Sequence, residues 1–128
     1  MVAQVTQGIK VSVSARLLED QSNPDLNHFL FAYRIKIENN SEYTVQLLRR
    51  KWNIFDSIGE KREVEGEGVV GRKPIIVPGE FYEYESACNL SSEIGSMDGN
   101  YLMMREIDMN TFEIKIPRFE LIVPRRLN

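Results

Sequence analysis

Three glycines carry the most suggestive spacing in the chain. Gly66, Gly68 and Gly71 stand as GxGxxG within VEGEGVVGRKPIIVP at 64–78, a pattern that elsewhere turns backbone toward a pyrophosphate. That chemistry needs a strand before the first glycine and a helix opening near the third, with its N-terminal amides facing the phosphates. Here Pro74 and the β-branched Ile75, Ile76 and Val77 follow Gly71, so no helix starts and a dinucleotide fold is not expected. Two readings of the stretch remain. Its amides could form a nest for a phosphate, pyrophosphate or nucleotide, bound weakly, with Arg72 or Lys73 supplying charge. Alternatively the glycines permit a turn with positive φ at a sheet edge. The loop of Gly66, Gly68, Val69, Val70, Gly71, Arg72 and Lys73 then serves as a contact surface for a partner, and Glu65 and Glu67 weigh against the anion.

Other chemistry has little material. His28 and Cys88 are the only members of their types, whereas structural zinc takes four nitrogen or sulfur ligands. Glu63, Glu65 and Glu67 alternate, which on a strand puts them about 7 Å apart on one face, too wide for one cation. A nucleophile activated by imidazole would have to use His28, which opens a strand and lies in no evident cleft. No metal, no cofactor and no catalytic residue is therefore expected, and the chain does not read as an enzyme.

The elements that position the glycine stretch are strands. Ile9, Val11, Val13, Ala15 and Leu17 alternate with polar residues, as do Phe29, Phe31, Tyr33, Ile35 and Ile37, the period of a strand with one wet face. Turn residues at 20–25 and 39–42 separate them from a segment at 43–55. There Val45 and Leu47 keep one phase and Leu48, Trp52 and Ile54 the other, so a bulge, a bend or burial on both faces is expected. The charged run at 61–65 reads as an edge strand. Strands are also expected at 75–77, 81–88, 101–107, 111–116 and 119–123. Residues 89–100, rich in Ser, Gly, Asn and Asp, read as a surface loop, with Ile94, Gly95, Met97 and Gly99 as a second candidate contact, or alternatively as a crossover connection between two sheets. Residues 1–8 read as a loosely ordered N-terminal segment. The whole predicts one all-β domain over 1–128, an antiparallel β-sandwich of about seven or eight strands.

The totals agree. A chain of 128 residues with 27% charged and 42% apolar residues can bury a core without disulfides or metal. Net charge is −3, so no overall positive field gathers nucleic acid and none is expected as a partner. Short basic groups do occur, among them Arg49 to Lys51 and the pair Arg125 and Arg126. No apolar run suits a signal peptide or a membrane span, and the single cysteine suits a reducing compartment. A cytoplasmic location without membrane insertion is expected.

Several phrases taken in order resemble the ApaG family (the ApaG domain, DUF525): QSNP at 21–24, FAYRIKIEN at 31–39, QLLRRKWNIFD at 46–56, VEGEGVVG at 64–71, PGEFYEYES at 78–86, GSMDGNYLM at 95–103 and FEIKIPRFEL at 112–121. The resemblance implies a fibronectin type III-like or immunoglobulin-like sandwich. It also implies a stand-alone cytoplasmic protein, a link to cobalt and magnesium efflux, and a module that binds a protein partner the sequence does not name, in an oligomeric state it does not set. The chain departs from the family's usual pattern at Arg72 and Lys73, where Glu-Gln is common, and at Lys51, Glu85 and Ala87.

Overall fold

In a computed structural model that describes residues 1–124, nine strands form two antiparallel sheets. Arg125 and Arg126 of the basic groups noted above lie outside the described residues. The strands are β1 (Val2–Thr6), β2 (Ile9–Leu17), β3 (Phe29–Asn39), β4 (Val45–Asp56), β5 (Glu60–Glu67), β6 (Ile75–Ile76), β7 (Phe81–Leu90), β8 (Ile94–Arg105) and β9 (Thr111–Ile122). One sheet has the order β1-β2-β3-β7, the other β5-β4-β8-β9, with the two-residue β6 added to β4. Among the described residues the helical elements are two short 3-10 turns, Glu19–Gln21 and Pro24–Leu26.

Alternation decides which face each strand buries. Ile9, Val11 and Val13 of β2 and Ile35 and Ile37 of β3 lose essentially all solvent contact, against Ile114, Ile116 and Leu121 of β9. At the centre Tyr33, Trp52 and Phe119 meet edge-on or tilted, with ring centroids 5.3 to 5.9 Å apart, the arrangement that ring quadrupoles favour. The expected change of phase in β4 is a register shift between Leu47 and Arg49. One extra residue there lets Val45 and Leu47, and then Trp52 and Ile54, all face the core.

Two expectations are corrected. Residues 1–8 are not a loose segment, because Val2–Thr6 pairs with β2 from Val2↔Val13 to Thr6↔Ile9. The turn between them, Gln7 and Gly8, has φ of 49° and 81°, and two consecutive positive φ values match the twist of a tight hairpin. Residues 89–100 are not a loop either. β7 runs to Leu90 and β8 begins at Ile94, leaving a turn of 91–93. The small residues that suggested a loop instead let β8 approach β4. A Cβ at Gly99 would lie 2.0 Å from the Lys51 carbonyl oxygen, at a register shift between Met97 and Gly99. Packing has overridden poor strand propensity.

Candidate functional site

The glycine stretch folds as a hairpin tip at the end of β5. Gly66 lies within the strand opposite Arg50. A Cβ there would come within 2.7 Å of the Arg50 guanidinium, so the missing side chain makes room for it. Arg50 Nη1 donates to the carbonyls of Glu67 (3.0 Å) and Gly68 (2.9 Å). Gly68 takes φ of 64° and donates its N–H to Leu48 O at 2.8 Å. Val69 and Arg72 then exchange two backbone hydrogen bonds, of 2.8 and 3.0 Å, across Val70 and Gly71 with φ of 47° and 76°. Val69 is wholly buried, whereas Val70 at the tip is 61% exposed.

Three amides of a would-be anion nest, those of Gly68, Val69 and Arg72, thus bond to the protein's own carbonyls. Lys73 Nζ and Arg49 Nη1 both pair with Glu67, at 3.3 and 2.9 Å. Arg72 is exposed. Where a nucleotide fold would start a helix, Pro74 O accepts the Leu47 N–H at 3.0 Å and β6 begins.

The second set of candidates is dispersed along β8. Gly95 and Met97 are buried and Gly99 faces the β4 backbone; Ile94 alone remains exposed, at 43%. Gly68 is bonded to Leu48, but Ile94 O accepts from Ser57 N. Nine residues of strand, about 30 Å, separate those anchors, so the structure does not bring the two candidate sets together.

It brings together a different group. β5 and β7 are the outer strands of the two sheets on one side of the sandwich. Arg50 and Arg62 occupy core-facing positions there, since their strand partners Tyr101 and Ile54 are core residues. Val64, Tyr82, Tyr84 and Ser86 share this side and keep part of their surface exposed. Arg62 spans the gap, with Nη2 2.5 Å from Asn89 O and 3.7 Å from Cys88 Sγ. Behind Arg50 the hydroxyls of Tyr84 and Tyr101 form a short hydrogen bond, and Ser86 lies opposite Tyr33 as its strand partner. Burial pushes the phenols of Tyr33, Tyr84 and Tyr101 upward, with the Arg50 charge acting against it. Burial likewise raises the Cys88 thiol, opposed by Arg62. The signal available in the sequence was phase: Arg50 falls in step with the inward Trp52 and Ile54 of β4, and Arg62 in step with Val64 of β5.

A family model described as the ApaG domain matches residues 19–105. The chain belongs to the ApaG family. Protein ApaG of Brucella abortus (strain S19) is 47% identical over 126 residues, 98% of this chain and 96% of that protein. Protein ApaG of Paramagnetospirillum magneticum (strain AMB-1) is 48% identical over the full length of both. In three dimensions a Bordetella pertussis protein described as ApaA superposes with a TM-score of 0.88 at 39% identity, covering 91% of this chain and 94% of that one. The ApaG match includes both the glycine hairpin and the β5–β7 side. Among the described residues no helix is long and apolar enough to cross a membrane, and no three His, Cys, Asp or Glu side chains converge as metal ligands.

Proposed function

We propose that this ApaG protein is a non-catalytic binding module that engages a protein partner through its glycine hairpin, in the cytoplasm. The observation that carries the reading is the build of that hairpin. The amides of Gly68, Val69 and Arg72 are bonded to the protein's own carbonyls, its base is anchored by buried Val69 and by Arg50, and its tip presents an exposed apolar side chain, Val70. A rigid loop with an apolar tip loses little entropy on docking, and one anchor residue commonly dominates such contacts. The family-level link to cobalt and magnesium efflux fits this role through a regulatory partner, with no cation held by the module itself.

Affinity capture from the native cell with wild-type and Val70→Asp protein tests the assignment. Val70 is exposed and Asp tolerates positive φ better than a β-branched residue, so the variant folds normally. Loss of a captured protein supports the hairpin as the contact; an unchanged set of captured proteins rules it out.

A further inference from the structure

Among the described residues no strand pairs with the outer edge of β7, the second feature of this side. Asn39 N–H donates to Glu80 O at 3.0 Å, while Leu30, opposite Asn89, bonds away from β7: its carbonyl accepts from Leu18 N and its N–H donates to Ser22 Oγ. In an antiparallel ladder hydrogen-bonded and non-bonded pairs alternate. The amides and carbonyls of Phe81, Glu83, Glu85, Ala87 and Asn89 therefore point away from β3, off the sheet. At Asn89 the carbonyl receives Arg62 Nη2, which occupies the place that an incoming strand's N–H would take.

The other outer strands are less open to pairing. β1 has five residues, and β9 contains Pro117 and has its Lys115 N–H bonded to Thr6 Oγ1. β5 carries Lys61, Glu63, Glu65 and Glu67 along its outward face. β7 is ten residues long with an unbroken register and no proline, the kind of edge that proteins otherwise cover or blunt.

We propose that β7 accepts an extended partner segment as an added strand, with acidic or small apolar side chains facing inward and basic or neutral ones outward. This rests on the reading of the protein as a protein-binding module and names the chemistry of what it binds. Inward residues of an added strand would lie over the gap and meet Arg50, Arg62 and Val64. Outward residues would continue the sheet beside Glu83 and Glu85. A second copy of this chain fits poorly, because β7 against β7, or β5 against β7, sets glutamates beside glutamates. Main-chain bonds supply the affinity in this mode and alternate side chains the specificity.

The test uses the full chain labelled with 15N and the capped peptide KDTVKDTVK, compared with its charge-exchanged form DKTVDKTVD and with KDPVKDPVK, which lacks two outward-position N–H donors. The first peptide should shift the amides of Phe81, Glu83, Glu85 and Ala87 and slow their exchange with solvent. The second should bind about tenfold more weakly, and the third should leave these amides unmoved. No shift at these four amides with about 1 mM KDTVKDTVK, equal binding of either control, or concentration-dependent shifts of β7 without peptide would each overturn the proposal. The peptide titration reads the β7 edge and the capture experiment reads the hairpin. A Val70-dependent partner captured alongside a failed peptide titration would therefore remove the edge and leave the hairpin reading in place.

Discussion

The two sides of the sandwich are closed in different ways. On one side the buried aliphatic residues of β2 meet those of β9, and the mostly exposed β1 is tied to β9 where Thr6 Oγ1 accepts the Lys115 N–H. On the other side β5 and β7 stand apart. Val64 stays 40% exposed, and the gap is spanned by Arg62 and backed by Arg50 and a pair of tyrosine hydroxyls. The first closure rests on apolar burial, which is cheap to keep and hard to open. The second rests on a few polar contacts that water or a ligand can replace. Stability should therefore concentrate on the β9 side and accessibility on the β5–β7 side.

Truncation on each side is the strongest test of that contrast. Ile116→Ala, in the closed half, should lower unfolding free energy by about 2–5 kcal/mol, the usual cost of a cavity in a packed core. Val64→Ala, at the gap, should cost less than about 1 kcal/mol. Urea denaturation of both variants measures the difference, and comparable losses would erase the distinction between the two sides.

How far the sequence foretold this contrast varies by element. Long strands such as β2 and β3 were legible because their alternation is unbroken, and the β4 bulge was legible as a change of phase. β8 was not, since Gly95 and Gly99 carry the composition of a loop while their role, close approach to β4, exists only once the partner strand is present. The hairpin of β1 was hidden because Gln7 adopts positive φ without being a residue that signals it. In the candidate site the glycine turn was legible, but the spending of its amides on Leu48 and within 69–72 is a tertiary fact. The arginine-spanned gap depends on which strands end each sheet, and local pattern does not encode that order.

An intermediate effect is expected from the polar contacts behind Arg50. Tyr101→Phe leaves the Tyr84 hydroxyl without its partner and should cost about 1–3 kcal/mol. The same phenols give an alkaline signature. Their folded pKa values lie above the ordinary 10.0, chiefly through burial, so above that pH the unfolded chain binds fewer protons than the native one. Their contribution is complete below about pH 10 and is lost as pH rises toward the folded values. Denaturation midpoints followed from pH 8 to pH 11, as about three points on either side of the tyrosine range, should fall at the alkaline end. Midpoints that stay level, or rise, would contradict buried neutral phenols.

A small energetic effect, comparable to that of Val64→Ala, should come from Arg62, yet it separates two accounts of the gap. Arg62→Ala removes hydrogen bonds at a partly exposed position and should cost about 1 kcal/mol or less. It also acts on Cys88 in two opposing ways. Losing the guanidinium charge removes an influence that lowers the thiol pKa, which would slow reaction of the thiolate. Uncovering the sulfur admits water and relieves burial, the larger influence on this group, and opens a path for the reagent. If Arg62 is a removable cover, the rate of Cys88 modification by an aromatic disulfide should rise several-fold in the variant. A fall in that rate would mean that Arg62 matters to Cys88 as a charge alone, and that the β5–β7 side is closed by its backbone after all.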